Sequence, residues 1–228
     1  MELVCIIEEQ LSLNQESVVE STRRLEELAL DAESFVTSLL SLFVDQGLPA
    51  SIRQVAGFLI KGRFMSASRE RVAVLNEEWD ALQVRMDVVR ESRTILKTGD
   101  IGLRTAASMI LSMAAMHEVI SERGPGLLRS LAEEGLSNIK NTTLLRDIIW
   151  TLGNTVQDLE LAGVKTSDIR AFELLNQMNS SETGLDEAQA FLNCLPAMGT
   201  FQSKQKWERL RALWAPHCLK FVSADSGP

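Results

Sequence analysis

Residues 51–64, SIRQVAGFLIKGRF, constrain the fold more than any other stretch of the chain. At roughly 100° per residue, Ile52, Val55, Ala56, Phe58, Leu59 and Ile60 sweep an arc of about 200°, and Arg53, Gln54, Gly57 and Lys61 fill the remainder. A helix lying on a protein surface needs an apolar stripe of only about 100°. This one requires cover on two or three sides, so it is expected to be sandwiched among other helices.

The rest of the chain supplies such neighbours. Helices are expected near 2–11, 15–30, 32–46, 50–64, 69–80, 82–98, 103–119, 125–137, 142–159, 166–179, 184–199 and 204–221. Asn14 is placed to cap the helix starting at Gln15. GLP at 47–49, TGD at 98–100 and SSETG at 180–184 are breaks, and Pro125 suits a first helical turn. No segment alternates as a strand would. With 5 prolines, 13 glycines and no tyrosine in 228 residues, the composition also favours helix, and the fold class is all-α. Residues 1–222 are expected to form one domain and 223–228 a frayed tail.

Helix following helix through short connectors calls for a test of repetition. Four segments read as first helices of hairpins. Aligning Val55, Ala107, Ile149 and Ala190 gives steps of roughly 40 to 50 residues, the longest holding an additional helix at 68–82. Periods near 40 fit HEAT or armadillo units better than the shorter tetratricopeptide or ankyrin repeats. In such a stack a repeat's first helix touches its own second helix and helices of both adjoining repeats, which accounts for the wide apolar arc. LLRDIIWTLGNTV repeats the pattern through Leu144, Leu145, Ile148, Ile149, Leu152 and Val156. Small Ala56, Gly57, Ala106 and Ala107 suit close backbone approach. A four-helix bundle uses similar residues but has too few helices.

Chemistry is harder to find. His117 and His217 are the only histidines, and neither lies in a metalloprotease or triad pattern. His117 is expected to be structural. The Glu pairs at 8–9, 26–27, 77–78 and 133–134 sit on polar helix faces, and GPG at 124–126 lacks the context of a phosphate loop. Cys5, Cys194 and Cys218 suggest neither a disulfide framework nor a zinc site. No enzyme, cofactor or metal is expected. The net charge, 23 − 31 = −8, argues against a nucleic-acid or anionic-membrane binder and is compatible with a basic protein partner. MELVCIIEEQ lacks the basic start of a signal peptide, and no apolar run reaches a membrane span, so a soluble intracellular protein is expected. Trp79, Trp150, Trp207 and Trp214 read as packing residues, any exposed one being a candidate anchor for a partner. Arg85, Arg90 and Arg93, mixed with Asp87 and Glu91, read as a solvated face.

MELVCIIEEQLS, RQVAGFLIKGRF, NEEWDAL, AASMILSMAAMHE and RDIIWTLGNTVQDL occur in an order and spacing that resembles the N-terminal region of the importin beta family of nuclear transport receptors. The similarity runs from Met1 to about Leu195 and departs from the family pattern at Gly62 and at Gly124-Pro125. The resemblance implies a right-handed α-solenoid of about five HEAT repeats whose second helices line the concave side. That side in the family binds Ran in its GTP state, and the resemblance carries this role onto Lys61, Arg104 and Asp158. An exposed ion pair there is worth only about 0.2–1 kcal/mol, so affinity would come from many contacts. It further implies clefts for phenylalanine-glycine nucleoporins, at Leu175 and Leu210, and residence in cytoplasm, nucleus and nuclear pore. Importin alpha or cargo is expected only if more repeats follow. A HEAT scaffold that ignores nucleotide state, as in a phosphatase regulatory subunit, is the competing expectation.

Overall fold

The computed structural model describes residues 2–162, apart from 13, 67, 122–125 and 139. Among the described residues there are nine helices and no strand: α1 (Glu2–Gln10), α2 (Gln15–Leu28), α3 (Ala32–Val44), α4 (Ala50–Arg63), α5 (Arg69–Ala81), α6 (Arg85–Thr98), α7 (Ile101–Ile120), α8 (Gly126–Ser137) and α9 (Thr142–Leu161). The three helices expected beyond 163 lie outside the described residues, as does the expected tail.

Short polar side chains start most of these helices by accepting the orphan amides of the first turn. Asn14 Oδ1 accepts from Glu16 N at 3.0 Å, Asp31 Oδ1 from Ser34 N at 3.2 Å, Asp100 Oδ1 from Leu103 N at 2.9 Å and Asn141 Oδ1 from Leu144 N at 3.1 Å. The Asp100 cap also explains why α7 begins two residues before its first expected position. Two helices borrow their caps from elsewhere. The Glu33 carboxylate, on α3, accepts from Gln83 N (2.9 Å) and Val84 N (3.2 Å) at the start of α6. The Glu118 carboxylate, near the end of α7, accepts from Leu127 N (2.8 Å) in the first turn of α8.

Consecutive helices pack as pairs: α1 on α2, α3 on α4, α6 on α7 and α8 on α9. A row α4–α7–α9 then runs through the molecule, α7 packing on both of the others, with α1 against α4. Contacts at matching positions run in step: Gly57 opposes Ala106 and the Phe64 carbonyl meets His117, while Arg104 meets Asp147 and Ser108 meets Thr151. The three helices of the row are therefore parallel. α5 lies against α7, with Arg63 of α4 clipped to its Glu78 at 2.6 Å.

The expected phase of the hairpins is corrected by this packing. α4, α7 and α9 are the second members of their pairs, joined to α3, α6 and α8 that precede them. A repeat period is identical whichever helix is counted first, so periodicity is silent on phase. The Gly99-Asp100 connection decides it for α6 and α7, because a two-residue link folds the helices back on each other.

The core follows the row. α7 buries residues around most of its girth, including Leu103, Ala106, Ala107, Ile110, Leu111, Met113 and Ala114. On α4, Ile52, Ala56, Gly57 and Ile60 are buried, with Val55, Phe58 and Leu59 packed partly against them. Gly57 is needed for the approach: a Cβ there would lie 3.0 Å from both the Ala106 Cβ and the Phe43 ring. No helix among the described residues is long and apolar enough to cross a membrane.

Candidate functional site

The interface of α7 with α9 carries polar rungs set one helical turn apart along α7. Arg104 Nε donates to Asp147 Oδ2 at 2.7 Å, and Arg104 Nη1 donates to the Gly99 carbonyl at 3.0 Å. One turn on, Ser108 and Thr151 share a hydrogen bond of 2.6 Å. Because the Thr151 hydroxyl donates to the Asp147 carbonyl at 2.8 Å, Ser108 is the donor to Thr151. At the third rung Ser112 Oγ donates to Asp158 Oδ2 at 2.6 Å. Here α4 joins in: Lys61 Nζ donates to Asp158 Oδ2 at 2.8 Å and to Oδ1 at 3.0 Å.

The sequence-derived Ran positions therefore come together as internal pairs. Asp158 is 4% exposed, and the side chain of Lys61 is 13% exposed. The expectation of an exposed Asp158 carboxylate, free to meet a basic patch on a partner, is corrected: both of its oxygens are taken by Lys61 and Ser112. Arg104 is engaged by Asp147, which Arg146 also contacts at 2.8 Å. Sequence reasoning singled out one end of the first and third rungs, Arg104 and Asp158, and missed Ser112 and Asp147 opposite them and both members of the middle rung, Ser108 and Thr151. Their signal was present as polar residues at i, i+4 and i+8 on α7 (Arg104, Ser108, Ser112) and at i, i+4 and i+11 on α9 (Asp147, Thr151, Asp158). Leu175 and Leu210, the nucleoporin positions, lie outside the described residues.

A second polar cluster fastens α5. His117 is fully buried, stacked on Trp79 with centroids 5.9 Å apart and edge-on to Phe64 at 6.3 Å. Its Nε2 lies 3.1 Å from the Phe64 carbonyl, to which it donates, and its Nδ1 lies 2.9 Å from the side-chain amide of Asn76, whose NH2 must face it when the imidazole is neutral. Burial pushes the imidazole pKa down to about 4, outweighing the Phe64 carbonyl and the Asp158 charge, which favour the cation. The structural role expected for His117 is the one it has, and Trp79 is a packing residue. Burial likewise raises Glu118 above the ordinary carboxylate range, against the Leu127 amide and Arg85.

Arg93 is partly covered and does more than meet solvent: it donates to Ser130 Oγ (2.8 Å) and Glu134 Oε2 (2.7 Å) on α8. Burial would raise the Glu134 carboxyl, but Lys97 and Arg93 together hold it below its ordinary value. Arg90 remains at the surface with Asp87 and Glu91, and Arg85 pairs with Asp80.

What the row leaves open is a partly exposed stripe on each helix: Ser51, Val55, Phe58 and Gly62 on α4; Ile101, Thr105 and Met109 on α7; Arg146, Trp150, Gly153, Gln157 and Leu161 on α9. The 100° spacing puts each set on one face. None of these positions carries a carboxylate, although the whole chain is acidic, and Ile101 (69%) and Leu161 (51%) are large apolar residues in water. Such a surface has the chemistry of a protein contact. Among the described residues no group of three or more His, Cys, Asp or Glu is arranged to hold a metal ion.

A scan against protein-family models finds no match to the chain, nor does a search of the curated proteins.

Proposed function

We propose that this chain is a protein-binding module of the importin beta N-terminal type, its helical pairs continuing as HEAT repeats in a right-handed α-solenoid that binds Ran in the GTP state. The observation that carries the reading is the row of parallel second helices α4, α7 and α9 with its carboxylate-free, part-apolar stripe. Second helices are the ones that line the binding side in the family the sequence resembles. Trp150, half-buried on that stripe, is the natural anchor. Phenylalanine-glycine nucleoporins, at Leu175 and Leu210, and shuttling between cytoplasm and nucleus belong to the same proposal. So does the absence of enzymatic activity.

Capture of purified Ran loaded with GTP or GDP tests it. Preference for the GTP form, weakened by Trp150→Glu or Met109→Glu with helicity unchanged, is the expected result; equal or no capture of the two forms refutes it. One observation favours the alternative, a HEAT-type scaffold indifferent to nucleotide: Lys61, Arg104 and Asp158 are all committed to partners inside the chain. Charge reversal at Asp158 would set two cations against each other in the interior, so the stripe variants are the ones that separate binding from folding.

A further inference from the structure

We propose that the Lys61–Asp158 pair is a latch that sets the spacing of α4 and α9 across α7, and that releasing it opens the row at the α7/α9 interface without unfolding it. The inference rests on helix packing and does not depend on which partner the module binds.

The two interfaces that the latch spans are built differently. Between α4 and α7 the middle of the contact is apolar and tight, since a Cβ at Gly57 would already press on Ala106 and Phe43 at 3.0 Å, and its far end is tied by the hydrogen bond of His117 Nε2 to the Phe64 carbonyl. Close-packed apolar surfaces of this kind resist sliding. Between α7 and α9 the rungs are Arg104–Asp147, Ser108–Thr151 and Ser112–Asp158. Hydroxyl and carboxylate partners can exchange a direct hydrogen bond for a water-mediated one at little enthalpic cost, so this interface has a graded way to part.

Lys61 reaches over that yielding interface. It lies on α4, 97 residues before Asp158, and bonds to a helix that is its second neighbour in the row. Ser112, fully buried, stands between them and gives its own hydrogen to the same carboxylate oxygen that Lys61 approaches at 2.8 Å. One carboxylate thus holds three helices. Lys61 enters from the rim, its side chain 13% exposed, while the Asp158 side chain is 5% exposed. With the pair neutralised, α4 and α7 keep their tight contact at Gly57 and α9 is retained by its rungs and by α8. The spacing between the far ends of α4 and α9 then loses its fixed point.

The test is a pair of distances measured by spin labels in a chain whose Cys5, Cys194 and Cys218 are replaced by Ser. Labels at Gly62→Cys and Gln157→Cys, both exposed, bracket the latch; labels at Ser51→Cys and Ile101→Cys bracket the α4/α7 interface. In Asp158→Asn, and separately in Lys61→Met, the 62–157 distance is expected to lengthen or broaden by about 2 Å or more, while the 51–101 distance and the helical circular dichroism hold. An unchanged 62–157 distribution in both variants overturns the latch. So does loss of both distances together, which would make the pair a requirement for folding and not a setting of spacing.

Discussion

Acidification from about pH 7.5 to about 5 should destabilise this protein chiefly through His117. His117 is enclosed by Trp79, Phe64 and Asn76, and burial lowers its pKa from the ordinary 6.5 to about 4. In the unfolded chain the imidazole titrates normally. A group whose folded value is depressed contributes stability that is intact above its unfolded pKa and is lost as pH falls toward the folded one, here between 6.5 and about 4. The full shift corresponds to roughly 3 kcal/mol, and about 2 kcal/mol of it is gone by about pH 5. Carboxylates complicate the lower half of that window: Glu134 and Asp31, held below their ordinary values, lose stability there, and Glu118, held above, gains it. The measurement is urea unfolding at a series of pH values from about 7.5 to about 5, for wild type and for His117→Gln, each also carrying His217→Gln so that the other histidine is silent. The difference in slope between them isolates His117. Wild type should lose about 2 kcal/mol more than the variant over this range. Parallel pH profiles would refute the argument, because they would mean that the imidazole binds its proton as readily in the folded state as in the unfolded one.

Other outcomes follow from the packing. Gly57→Val should cost about 1–3 kcal/mol and lower the melting temperature, since even a Cβ is too close to Ala106 and Phe43; an unchanged melting temperature would show that α4 and α7 are not pressed together there. Glu33→Ala removes the acceptor at the start of α6 and should cost about 1 kcal/mol, with faster amide exchange at Gln83 and Val84 as its local signature. For Arg104 and Asp147, a double-mutant cycle to Leu should return a coupling of about 0.5–3 kcal/mol by chemical denaturation; additivity would place the pair outside any shared interaction.

Much of the helical plan could be read locally. Asn14 and the GLP and TGD breaks mark α2, α4 and α7 because capping and turn chemistry act within a few residues. The wide apolar arc of 51–64 correctly called for neighbours on several sides, which are α3, α7 and α1. Local pattern failed where the determinant is distant. α6 starts at Arg85, three residues later than expected, because Leu82 is extended and buried and the first amides go to Glu33, about 50 residues earlier. Lys61 and Asp158 each looked like surface groups offered to a partner, since a charged residue carries no local mark of a counterion 97 positions away. The polar residues of α7 and α9 were legible as a stripe, but only the packed helices show that the two stripes face each other.

The borrowed caps bear on how the chain unfolds. Arrays of helical pairs can fray from an end, each pair melting on its own terms. Here the first turn of α6 is completed by a residue of α3 and that of α8 by a residue of α7, so a pair that melts takes with it the acceptors its successor relies on. Cooperativity is thereby written into the helix starts, and a shortened chain lacking α3 would enter α6 with two bare amides and no local residue able to cover them.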